Sequence, residues 1–272
     1  MPLDQPDLDV PLPLGAHLDE LRRVLIRPVI VLVITFIVAF MFQAPLKELM
    51  LDPLWRAIDI LRESDPEALT GTGLPLHRGD GRLLVTLSLG ESASTAMKIS
   101  LLAAIFVTVP VILHGLWRFV SRGLTAAERR AAFLFVPAGL ILFYTGVVVG
   151  YLFALPYFYV FLIDFQAADT TAVFQLRQAD YVDTFMLWTV AFGLVCDIPW
   201  AVMILVKTGI VSIAALNKGR RYVIMVNLVL AACLTPTADA ASLLAMFIPM
   251  QIFFEIGLLL SRFVQPRARI DA

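Results

Sequence analysis

Charge is scarce in this sequence. Of 272 residues, 16% are Asp, Glu, Lys or Arg, whereas 60% are hydrophobic and the mean hydropathy is +0.85. A soluble globular domain carries about a quarter charged residues, so that class is excluded. The few charges nearly cancel, to a formal −1, and this gives no electrostatic case for nucleic acid or for a strongly acidic substrate. The two cysteines, Cys196 and Cys233, both sit inside apolar runs and read as small buried hydrophobes rather than as a disulfide. Three histidines, His17, His77 and His114, lie far apart, which argues against a zinc or haem site. There is neither a glycine-rich phosphate loop nor a nucleophile elbow. The chain therefore reads as a non-enzyme with no cofactor.

What the sequence does contain is long apolar runs. Six approach the length of about 20 residues that crosses a bilayer: 24–42, 99–117, 131–155, 182–206, 222–233 and 242–260. The expected fold is an all-α polytopic membrane protein with six transmembrane helices, forming one integral membrane domain over residues 1–272. The fifth run is short. Its 12 residues reach about 18 Å at about 1.5 Å each, well under the hydrocarbon thickness of about 30 Å. Either its helix extends through polar flanks or the bilayer thins around it. The first run is longer than a signal-peptide core and lacks a small-residue exit, so it reads as a retained anchor.

The distribution of positive charge orients the spans. Fourteen of the 21 basic residues fall on one side: Arg22, Arg23 and Arg27; Arg118, Arg122, Arg129 and Arg130; Lys207, Lys218, Arg220 and Arg221; and Arg262, Arg267 and Arg269. By the positive-inside rule both termini face the cytoplasm, which requires an even number of spans. The long segment 44–95 then lies outside, and in it acids outnumber bases. Its first part spaces Leu46, Leu49, Met50, Leu54 and Ile58 as one helical face. Residues 62–81 read as an irregular loop, and 83–89 alternate weakly, as an extended strand would.

Four acids stand out. Glu20 precedes the first span beside Arg22 and Arg23, and Glu128 precedes the third beside Arg129 and Arg130. Each is either a solvated surface ion pair or part of a basic-ligand site. Asp197 and Glu255 lie inside the fourth and sixth runs. A carboxylate among aliphatics costs a few kcal/mol in lipid unless it has a partner or a function. Thr189 and Asn227 are candidate partners; the other reading is a polar docking site or a proton-linked step.

The order of motifs resembles one family. His17-Leu18-Asp19-Glu20-Leu21-Arg22-Arg23 comes first, then Pro110 to Leu113 with Trp117, Ala127-Glu128-Arg129-Arg130, and Phe143-Tyr144 with Gly146. Arg221-Tyr222, Leu234-Thr235-Pro236-Thr237-Ala238-Asp239, Ile248-Pro249-Met250, Phe254-Glu255-Ile256-Gly257 and Ser261-Arg262 follow. This series resembles the TatC family of the twin-arginine protein translocase over nearly the whole chain. The resemblance implies a receptor in the bacterial inner membrane for signal peptides that bear two consecutive arginines. It also implies single-span TatA/TatB-type partner subunits, surrounding membrane lipids, homo- and hetero-oligomers, no nucleic acid, and export of folded proteins driven by the proton-motive force. On that resemblance Glu20 and Glu128, with Arg22, form the signal-peptide site. Asp197 and Glu255 are the intramembrane partner-docking acids.

The chain departs from the family pattern in four places: Asp197 for the usual glutamate, Gly90-Glu91-Ser92 for Pro-Glu-Phe, Ser121-Arg122 for Ala-Pro, and Ala241-Ser242 for Ser-Gln. Two rivals remain in view. A proton-coupled small-solute transporter would relay protons through Asp197 and Glu255, but it would show paired, internally repeated halves. A redox-enzyme anchor would need axial haem histidines, and only His114 lies in a span.

Overall fold

The computed structural model describes residues 14–70, 72, 74–75, 77–78, 83–120, 126–167, 175–207, 211–234 and 240–264; the side chains of residues 14–25, 68, 70, 116–136, 241 and 264 are outside this description. Its elements are α1 (Leu14–Met41), α2 (Gln43–Ser64), α3 (Pro66–Thr70), α4 (Glu91–Val120), α5 (Ala126–Val149), a π-turn (Gly150–Ala154), α6 (Leu155–Ala167), α7 (Gln178–Cys196), α8 (Ile198–Lys207), α9 (Ile213–Leu234) and α10 (Ala240–Val264). Among the described residues the only β pairing is one parallel bridge, Val85 with Arg177. The expected extended character of 83–89 is thus confined to one residue.

The fold is all-α and polytopic. Each apolar run falls within a helix or a helix pair: α1, α4, α5 with the π-turn, α7–α8, α9 and α10. Four stretches, Glu91–Gly115, Pro137–Ala167, Gln178–Lys207 and Ser242–Phe263, are each long and apolar enough to cross a membrane, and Ile26–Met41 passes together with α2. The helix of the short fifth run extends through its polar flank, although α9 is not among the stretches apolar enough to cross by this measure. α9 has 22 residues, about 33 Å at the standard rise, because Ile213–Arg221 continue the helix on the polar side. Two other boundaries shift for related reasons. α4 starts at Glu91 because polar residues 92–98 stay helical outside the apolar run. The third span continues beyond Leu155 because Pro156, which cannot join an α ladder, follows a π-turn in which the Leu155 N–H reaches back to the Gly150 carbonyl.

Two compact units divide the chain. One is Met1–Gln43 with Ser100–Val136; the other is Ala44–Ile99 with Pro137–Ala272. In the first, the Thr35 and Thr108 hydroxyls meet at 3.5 Å between α1 and α4. Each also donates to its own helix, to the Val31 and Ala104 carbonyls, which keeps the polar atoms satisfied at an apolar level. Much of α1 is bare aliphatic surface, with Val29, Val33, Ile34 and Ile37 all about half exposed. Such a surface calls for lipid or another apolar helix against it.

The second unit is organised by α7. Tyr181, Phe185, Trp188 and Phe192 recur at four- and three-residue spacing and stack along one face. Phe158 of α6 lies on Trp188 with ring centroids 3.9 Å apart, and Tyr159 lies beside Tyr181. Each such aromatic pair adds about 0.5–1.5 kcal/mol beyond its burial. α2 is amphipathic as its spacing predicts, burying Met50, Leu54 and Ile58, with Pro53, Ala57 and Leu61 added; Leu49, expected on that face, is exposed. Pro53 has no N–H to give the Leu49 carbonyl four residues back. The Tyr151 hydroxyl donates to that carbonyl at 2.7 Å, and the Tyr181 hydroxyl donates to its neighbour Met50 at 2.6 Å. On the outer side of α2, Asp52 bridges Arg56 and Arg78. Partial burial pushes its carboxyl up, but the two guanidiniums outweigh this and hold it below the usual carboxylate range.

Candidate functional site

Span four is broken at an acid. α7 ends at Cys196, Asp197 is its C-cap at φ −81° and ψ −10°, and α8 starts at Ile198. Pro199 forces this, since it cannot supply the N–H that would carry the α ladder through this turn. The Asp197 N–H turns back to the Leu194 carbonyl at 3.1 Å, and the chain resumes when Ala201 N–H donates to the Asp197 carbonyl at 2.9 Å. The Asp197 side chain is half-buried, and its Oδ1 is enclosed without a hydrogen-bond partner among the described residues. Thr189, a candidate partner from the sequence, donates to the Phe185 carbonyl at 2.6 Å instead. A buried acceptor left open costs about 1–3 kcal/mol, so it calls for a functional explanation.

The break is clamped on both sides by glycines. A Cβ on Gly146 of α5 would come within 2.5 Å of Cys196 Cβ, and one on Gly257 of α10 within 2.7 Å of Pro199 Cα. Only hydrogen fits at these crossings, the small-residue device by which membrane helices approach closely. Two motifs from the sequence, the Phe143-Tyr144/Gly146 element and Phe254-Glu255-Ile256-Gly257, therefore have a packing reason. They fix the residues flanking Asp197.

Glu255 has different surroundings. Its Oε2 accepts from Arg220 Nη2 of α9 at 2.9 Å, and its Oε1 accepts from Gln251 Nε2 at 3.4 Å. Gln251 in turn accepts from Asn227 Nδ2 at 3.1 Å. Asn227, the other candidate partner, thus serves Glu255 through an intermediary, and the ladder ties α9 to α10.

A third acid escaped sequence reasoning. Glu91, noted only within a departure from the family pattern, is 3% exposed. Its carboxylate accepts the Leu87 N–H at 3.0 Å, the Ala179 N–H at 2.9 Å and Arg177 Nε at 3.3 Å. One and two turns along α4, Thr95 meets Gln178 and Lys98 pairs with Asp183. The three layers join the start of α4 to the start of α7. A lone acid shortly before a long apolar run was the only sequence signal, because Arg177 and Ala179 lie 86 and 88 residues away and two of the three donors are backbone amides.

Glu20 and Arg22 fall on α1 and Glu128 on α5; their side chains lie outside the described residues. Among the described residues no cluster of His, Cys, Asp and Glu is placed to hold a metal ion.

Helical spans, the fourth of them broken at a clamped carboxylate, define a polytopic membrane protein. Residues 16–249 match the family described as TatC: Sec-independent protein translocase protein (TatC). The chain is 32% identical over 250 residues to the Sec-independent protein translocase protein TatC of Deinococcus radiodurans, covering 92% of this chain and 86% of that one. It is 30% identical over 259 residues to the TatC of Carboxydothermus hydrogenoformans, covering 95% and 96%. The crystal structure of the twin arginine translocase receptor TatC matches with a TM-score of 0.71 at 28% identity, over 91% of this chain and 99% of that chain. The chain belongs to the TatC family and is a multi-pass subunit of the Sec-independent, twin-arginine protein translocase.

Proposed function

We propose that the chain is the signal-peptide receptor of its translocase, that it exports folded proteins at the expense of the proton-motive force, and that Asp197 docks a single-span partner subunit. The observation that carries the docking role is the enclosed Oδ1 of Asp197, without a partner among the described residues, at a break in a membrane span. A polar side chain from a neighbouring helix would satisfy it, by a neutral hydrogen bond or a shared proton. Glu255 would have to release Arg220 to play the same part, so the primary docking role goes to Asp197. The proton-coupled solute transporter is not favoured, because Glu255 is already bound within its own chain.

Signal recognition is assigned to Glu20 and Glu128, with Arg22 balancing their charge. A carboxylate accepts the planar fork of a guanidinium through two parallel hydrogen bonds, which a lysine ammonium cannot reproduce. Glu20→Ala or Glu128→Ala should each weaken photo-crosslinking of an Arg-Arg signal peptide, and the double variant should reduce it at least about tenfold, roughly the loss of one charge-assisted bond. A double variant that inserts normally and crosslinks like the parent would remove both residues from the site.

The distribution of basic residues supports cytoplasmic termini and an external segment 44–95. A cysteine introduced at Asp65 should react with a membrane-impermeant maleimide in intact cells. Labelling only after lysis would reverse the topology.

A further inference from the structure

α9 presents two different faces along its length. Ile213, Arg220, Asn227 and Ala231 recur every seven or four residues on the side that meets the neighbouring helices, Arg220 remaining partly exposed. Ile213 packs with Val206 and Leu258, Arg220 pairs with Glu255, Asn227 bonds Gln251, and Ala231 is fully buried. The opposite face begins with Lys218, Arg221 and Tyr222, all exposed. It continues through Met225 and Val229, 63% and 61% exposed. From Val223 to Cys233 the only polar side chain is Asn227, and it points inward. The outer face is thus cationic for about one turn and apolar beyond.

The cations on it are organised, and among the described residues neither Lys218 nor Arg221 pairs with an acid. Arg221 Nη2 donates to the Tyr222 hydroxyl at 3.1 Å, and its guanidinium carbon lies 4.9 Å from the centroid of that ring. Lys218 precedes it by three residues, on the same face. Residues 198–238 contain no Asp or Glu, and Glu255 across on α10 is taken by Arg220.

We propose that this face of α9 is a binding site for an anionic phospholipid. The headgroup phosphate bridges Lys218 and Arg221, Tyr222 marks the boundary between headgroup and acyl region, and an acyl chain lies along Met225 and Val229. Two cations on an open helix face make too sparse a cage for free phosphate, so retention depends on the apolar strip that follows. The outward direction of Lys218 and Arg221 also separates the roles within the basic cluster, Arg220 holding α10 while its neighbours hold lipid.

The test uses the full chain in nanodiscs of phosphatidylcholine, with and without phosphatidylglycerol, together with native mass spectrometry of the extracted protein. For the parent, phosphatidylglycerol should raise the unfolding midpoint by about 2–4 °C and leave a lipid adduct. Lys218→Gln/Arg221→Gln should lose the shift and reduce adduct retention at least about tenfold, with an unchanged midpoint in phosphatidylcholine alone. Lys218→Arg should keep both, and Met225→Gln should weaken the adduct without altering charge. Equal adducts in the parent and the double variant would overturn the site. So would inorganic phosphate reproducing the shift in phosphatidylcholine discs, since the acyl strip would then be irrelevant. A co-purifying single-span polypeptide that is lost in the double variant, with lipid adducts unchanged, would reassign the face to a protein partner and overturn the lipid proposal.

Discussion

Asp197→Ala is expected to abolish transport and crosslinking to the single-span partner, while an Arg-Arg signal peptide still binds. The substitution removes an acid whose Oδ1 has no partner among the described residues, so it should cost the isolated protein little. On insertion scales a mid-membrane Asp is unfavourable by about 2.5–3.5 kcal/mol, and Ala escapes that cost. A loss of function in a fold that is equally or more stable is the signature of a docking residue rather than a structural one. Asp197→Glu should stay active, because the carboxylate persists with one more methylene. Asp197→Asn separates the two chemistries: activity in the Asn variant means that a hydrogen bond suffices, and inactivity means that the proton or the charge is needed. Co-purification of the partner and a transport assay in membrane vesicles give both readings. An Asp197→Ala variant with normal partner crosslinking and full transport would leave the acid as a tolerated interior group.

The sequence made the spans legible because a bilayer imposes a single strong requirement, some 20 apolar residues per helix. The break at Asp197 also has its cause in the sequence, since Pro199 leaves a mechanical mark that needs no knowledge of neighbours. Boundaries were harder to read. Residues 92–98 and 217–221 are helical yet mostly polar, and apolarity alone cannot see helix that leaves the hydrocarbon. The Pro156 crossing was invisible because a π-turn has no compositional signature. Pairings were the least legible of all. Glu255 meets Arg220 across 35 residues, and Glu91 meets amides of two distant segments. Such contacts follow from the three-dimensional packing of α4, α7, α9 and α10, which periodicity does not encode. Asn227 was identified as a partner for an intramembrane acid, but the Gln251 between them was not.

The position of Asp197 depends on its glycine clamps, and Gly146→Ala should show this. The new Cβ would lie 2.5 Å from Cys196 Cβ and 2.7 Å from the Phe192 carbonyl oxygen. Neither belongs to a flexible side-chain end, so α5 and α7 must move apart. Overpacking of this kind costs about 1–3 kcal/mol. Because Cys196 adjoins Asp197, the shift should also weaken partner crosslinking in protein that remains folded. Gly257→Ala, facing Pro199 Cα at 2.7 Å, should act from the other side, and the two variants together should couple rather than add, since both act on one break. Gly219→Ala supplies the control. It lies in α9 with nothing within 4 Å of the added Cβ, so helix propensity alone should leave it neutral or stabilised by up to about 1 kcal/mol. Thermal unfolding in one detergent ranks the variants. If Gly146→Ala and Gly219→Ala unfold at the same temperature, α5 and α7 do not meet this closely, and Asp197 is held by the α7–α8 backbone alone.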